Sequence, residues 1–194
     1  MSSTMLVHDR RLGGSSPSGV AANTYEVDGS VAIGHAIGWI GTYARRSGGL
    51  SNLSIMCHGY ESEMNERDQM CMSEMAGGFG LQLCREGLDL GNVSLTTSWR
   101  GQIRRIILFA CSPAQTAPWN VGGSGDGRRF CGELALWTQA QVIAAEQTQY
   151  YVTRRSFWQW LTGQNAAGTI DFGSWEGPVY LFSPADPYGR RIHV

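Results

Sequence analysis

The chain has 194 residues, 42% of them hydrophobic and 16% charged, a composition that fits one globular domain and excludes global disorder. A net charge of −1 gives no electrostatic footprint for nucleic acid, and no apolar run approaches the roughly 20 residues of a membrane-spanning helix. All fifteen basic residues are arginines, which excludes Schiff-base, P-loop-lysine and lysine-base chemistry.

Met1-Ser2-Ser3-Thr4 lacks the basic and apolar regions of a secretory signal, so a cytoplasmic location is expected, with no membrane partner. Met5-Leu6-Val7-His8 suggests a strand, and the glycine- and serine-rich stretch from Gly13 to Gly19 a loop, leaving residues 1–28 partly flexible. Asp28 or Ser30 offers the cap of a helix over Val31–Arg46. There Val31, Ile33, Ile37, Ile40 and Tyr43 recur near helical spacing. Gly34, Gly38 and Gly41 each weaken that helix by about 1 kcal/mol relative to alanine, and their spacing predicts close packing on a sheet. Arg45 and Arg46 complement the dipole of the last turn, and Gly48-Gly49 ends the helix.

Leu50 to His58 reads as a buried strand that delivers His58 at its tip, with Gly59 directly after it. Glu61 to Gly80 is acidic and methionine-rich, and predicts a long loop leaving the histidine strand. Gly80 to Leu90 alternates like a β-hairpin, and Val93 to Arg100 suits a short helix. Ile106 to Ala110 is a second buried strand delivering Cys111, and Ser112-Pro113 stops it. Trp119 to Gly127 is a glycine-rich loop before a helix over Arg128–Thr138, with Phe130, Leu134 and Trp137 on one face. Gln141–Ala145 is a third short strand. Residues 155–194 form an aromatic-rich edge: a short helix, then edge strands around Thr169–Phe172 and Pro178–Phe182. The strand–helix–strand order predicts a single α/β domain with a mostly parallel sheet.

Five cysteines without a CxxC pair give little support to structural zinc, and free thiols are expected in a chain without a signal. Cys57, Cys84 and Cys131 suit burial as small hydrophobes, and alternation points Cys57 away from His58. Cysteine attacks as thiolate and needs a base or an electropositive setting to reach that form. Two strand tips carrying His58 and Cys111 at the carboxyl edge of one sheet would supply that partnership. The plainer alternative is a packed thiol and a histidine satisfied by a carbonyl. Met64, Met70, Cys71, Met72 and Met75 are soft groups able to hold Cu(I), but equally suit an adaptable lid. His8, His35 and His193 stand apart from any partner pattern.

An apolar block closing in His58-Gly59, followed by one closing in Ala110-Cys111, resembles the caspase–gingipain–clostripain group of cysteine peptidases. The histidine lies about 50 residues upstream, as in caspases. The resemblance covers about Val31 to Ala145, and extends to caspase-like domains of bacterial CHAT proteins and surface proteins, whose layout Gly80–Leu90 and Gly125–Thr138 match. It implies a three-layer α/β/α sandwich with an inserted hairpin and a cofactor-free endopeptidase acting on peptide or protein substrates. It also implies Cys111 as nucleophile, His58 as general acid–base, and the N–H groups of Gly59 and Cys111 as oxyanion hole. Phe109-Ala110-Cys111-Ser112-Pro113 departs from the caspase pattern Gln-Ala-Cys-x-Gly, so aspartate preference is not carried over. Glu61, Glu63, Glu66 and Asp68 would bias recognition toward a basic residue, or form a solvated face. The rival expectation is an inactive interaction module, with Trp158, Trp160 and Trp175 at an interface.

Overall fold

The computed structural model describes residues 3–60, 62–63, 75–154 and 168–193. Seven strands form the central sheet: β1 (Ser3–Asp9), β2 (Asn23–Val27), β3 (Leu50–Met56), β4 (Arg105–Phe109), β5 (Gln141–Ala145), β6 (Val179–Ser183) and β7 (Asp186–Ile192). Their spatial order is β7-β6-β5-β4-β3-β1-β2. β1 to β5 run parallel, whereas β6 is antiparallel to β5 and β7 to β6. The chain passes from β1 outward to β2 and then to the other side at β3, so the order reverses between β1 and β3. Such a switch point is where doubly wound sheets open a crevice beyond the carboxyl ends of their strands.

Alternation along each strand divides the core in two. Met5, Val7, Leu53, Ile55, Ile106, Leu108, Val142 and Ala144 face helices α1 (Ile33–Arg46) and α2 (Gly127–Thr138) and a 3₁₀ turn at Val93–Trp99. Trp99 is fully buried among them, and its indole N–H donates to the Ile37 carbonyl at 2.9 Å, tying the 3₁₀ turn to α1. Leu6, Met56 and the half-buried Phe109 lie on the opposite face. Leu12, Ala21, Tyr151, Ile170 and Phe172 cover them, and these belong to irregular chain and a small ribbon rather than to a helix. Among the described residues, the helical layer expected there is not seen.

The predicted elements recur with adjusted ends, and four expectations need correction. α1 begins at Ile33 with no side-chain cap from its own start; Ser30 bonds Asp28 instead. Glu86 supplies the cap from across the fold, accepting from the Ile33 N–H at 2.7 Å. Gly34 and Gly38 face open space, and only Gly41 packs inward, against Ser98 and Trp99. Trp137 is 39% exposed while Phe130 and Leu134 are fully buried, because α2 presents a narrower face than its sequence suggests. Thr169–Asp171 pairs with Val152–Arg154 in a separate ribbon instead of edging the sheet, and the outermost strand is the unforeseen β7. Among the described residues no helix is long and apolar enough to cross a membrane. The expected short helix after Arg155, with Trp158 and Trp160, lies outside the described residues.

Candidate functional site

Three neighbouring strands end at the switch point: β1 at Asp9, β3 at Met56 and β4 at Phe109. The chain leaving β3 carries Cys57, His58 and Gly59. His58 and Gly59 form a two-residue antiparallel ladder, His58 opposite Gln82 and Gly59 opposite Leu81. The predicted hairpin is thus rearranged. Leu81 meets Leu88 only as an isolated bridge, and its ladder partner is the histidine segment.

The His58 ring is anchored through Nε2, 3.2 Å from the Arg11 carbonyl oxygen. A carbonyl only accepts, so this contact assigns the ring proton to Nε2 and leaves the Nδ1 lone pair to act as base. Gly59 lies directly on the main chain of Cys111. A Cβ added at Gly59 would overlap the Cys111 carbonyl and come 3.1 Å from its nitrogen. The two strand-tip segments singled out in the sequence therefore meet, backbone against backbone.

Beyond Cys111 the chain turns sharply. Ser112 has φ of 48°, a left-handed conformation that is costly without glycine and that persists only where the surroundings impose it. Here the buried Ser112 hydroxyl is 3.0 Å from the Thr148 hydroxyl, and Cys111 pairs with Thr148 in an isolated antiparallel bridge. The Ala114 N–H donates to Ala145 at 3.0 Å, so the segment after β4 is laid along the end of β5. From the other side the main chain of Gly77 rests on Ser112, and its N–H donates to the Gln115 side chain.

Among the described cysteines, Cys57, Cys84 and Cys131 are buried and only Cys111 is partly accessible. Burial pushes the Cys57 and Cys131 thiols up, and raises Cys84 to about 12. Burial makes these three poor nucleophiles in the folded protein.

The sequence reading does not single out Asp9 and Arg11, although they follow the apolar run Met5–His8 at the third strand end on this edge. The fully buried Asp9 carboxylate takes a fork from Arg11, Nε to Oδ1 at 2.8 Å and Nη2 to Oδ2 at 2.7 Å. His8, treated as isolated, is buried with Nδ1 at 2.9 Å from Ser16 Oγ and Nε2 at 3.0 Å from the Leu12 carbonyl. His35 and His193 are exposed. Among the described residues no cluster of His, Cys, Asp and Glu could hold a metal. The segment Met64–Met72 with Cys71, and the acidic residues Glu61, Glu66 and Asp68, lie outside the described residues. Comparison with protein-family models, curated proteins and solved structures finds no match to this chain.

Proposed function

We propose that this chain is a caspase-like cysteine endopeptidase domain that cleaves peptide bonds by a dyad of Cys111 and His58. The observation that carries the reading is the contact of Gly59 with the Cys111 main chain, which brings the histidine segment against the cysteine turn. The Arg11 carbonyl at Nε2 adds to it, because it leaves Nδ1 available as base.

In this reaction the Cys111 thiolate attacks the scissile carbonyl carbon, and the C–N bond breaks as His58 gives its proton to the leaving amine. Water, losing a proton to His58, then attacks the thioester and restores the thiolate. The Gly59 and Cys111 N–H groups are assigned to the developing oxyanion, where one such donor is worth about 3 kcal/mol. No cofactor enters the scheme.

The test is alkylation by an iodoacetamide probe over a pH series, read by mass spectrometry at each thiol, alongside a peptide library. Cys111 is expected to react faster than an ordinary exposed peptide thiol at neutral pH, and to slow to that rate in His58→Ala. A Cys111 rate and pH dependence left unchanged by His58→Ala, together with an uncut library, would sink the peptidase reading. The departure Phe109-Ala110-Cys111-Ser112-Pro113 from the caspase pattern favours a second reading, a catalytically inactive interaction module, which that outcome would support.

A further inference from the structure

The polar groups at the end of β1 converge on His58 from two directions. The ring is held by the Arg11 carbonyl. The main chain of His58 is laddered to Gln82, and the Gln82 carbonyl accepts from Arg11 Nη2 at 3.0 Å. The same Nη2 donates to the Cys84 carbonyl at 2.6 Å, while the Cys84 N–H donates to Asp9 Oδ2 at 2.8 Å. Cys84 sits at φ of 59°, an uncommon conformation for a residue with a Cβ, and its N–H and carbonyl are both taken by the ion pair. The Arg11 N–H, 3.1 Å from Asp9 Oδ1, fixes the peptide turn that presents the Arg11 carbonyl.

We infer that Asp9 and Arg11 are positioning residues for His58: their ion pair fixes the loop whose carbonyl sets the ring tautomer and the hairpin that aligns the main chain. The inference rests on the reading of His58 as the general base. Burial is part of the argument. Asp9 is fully inaccessible and the Arg11 side chain only 31% exposed, so the pair carries a desolvation cost that a purely structural role would meet more cheaply with apolar groups. What apolar groups cannot do is hold two carbonyls and an N–H of the hairpin in fixed directions while orienting a third carbonyl at the ring. Arginine's planar fork can.

The experiment is nitrogen-15 NMR of the histidine rings in the whole chain, which reads tautomers without reference to catalysis. In the parent protein the neutral His58 ring is expected to carry its proton on Nε2. In Asp9→Asn and Arg11→Lys that preference is expected to give way to a mixture of tautomers, with His58-dependent alkylation of Cys111 slowed about tenfold or more. Leu134→Ala, a core truncation in α2, should lower stability and leave the tautomer unchanged. A parent ring protonated on Nδ1, or folded variants that keep the Nε2–H form, would overturn the inference. Variants that do not fold also count against it, since the pair would then be holding the fold and not the ring. Alkylation of Cys111 that ignores His58 would instead overturn the peptidase reading, and leave the tautomer result standing.

Discussion

At position 59 the requirement for glycine comes from proximity, since no positive φ is involved: the Cys111 carbonyl occupies the space a Cβ would need. Gly59→Ala must therefore push the two strand tips apart, at a cost on the order of 1–3 kcal/mol for overpacking. The larger expected effect is chemical. Alkylation of Cys111 should slow toward the rate of an ordinary exposed thiol in the variant even below the temperature at which circular dichroism reports unfolding. A variant that stays folded and keeps fast, selective alkylation of Cys111 would show that the contact is incidental. A second residue-scale prediction concerns the buried thiols. In the native protein, Cys57, Cys84 and Cys131 should be alkylated only through opening of the fold, so mild denaturant should accelerate them far more than Cys111.

The two main helices owe their ends to different sources. α2 is capped locally by Asp126, which accepts from the Arg129 N–H at 3.0 Å and also from the Gly122 N–H and the Thr116 hydroxyl. Burial pushes its carboxyl up, but these bonds and the nearby Arg129 outweigh that and hold it below the ordinary value of 3.8. Asp126→Ala should cost about 1–2 kcal/mol at neutral pH, measured by urea unfolding. Because the folded value is depressed, the contribution is present above the ordinary carboxylate range and is lost as pH falls through the folded value; the penalty of the variant should shrink in acid. α1 allows a sharper test. Gly34 and Gly38 are helical with nothing within 4 Å of an added Cβ, whereas at Gly41 such a Cβ would sit 3.2 Å from the Ser98 carbonyl. Gly34→Ala and Gly38→Ala should each raise stability by up to about 1 kcal/mol, and Gly41→Ala should give no such gain. Equal gains at all three positions would contradict the packing of α1 against the 3₁₀ turn at Val93–Trp99.

Across the whole molecule, three buried thiols make the fold sensitive to alkali. Above the ordinary thiol value of 9.0 the unfolded chain releases protons that the folded chain retains at Cys57, Cys84 and Cys131. Stability must then fall as pH rises, by about 1.4 kcal/mol per thiol per pH unit, and at Cys84 the loss continues to about 12. Urea unfolding between pH 8 and 10 reads this slope, and Cys131→Ala should flatten it while costing packing at neutral pH. The strand order of the central sheet explains the position of the site. Only the order β4-β3-β1 sets Asp9, His58 and Cys111 on one edge, at the point where the strand order reverses.

Much of this was legible in the sequence by itself. Short apolar runs bounded by polar residues and glycine are local signals, so β1, β3, β4 and β5, both helices, and the delivery of His58 and Cys111 to strand tips could be read without coordinates. The parallel course of those strands followed from the helices between them. Tertiary structure alone decided which segments meet. That Leu81 pairs with Gly59, that Glu86 caps α1, that β7 forms the edge and that Gly34 and Gly38 face outward depend on residues far apart in the chain, where no period exists to be read. Asp9 and Arg11 show why most clearly. Two residues apart, they look like any exposed charged pair, and only the docking of a hairpin more than seventy residues away buries the carboxylate and turns the Arg11 carbonyl to the ring of His58.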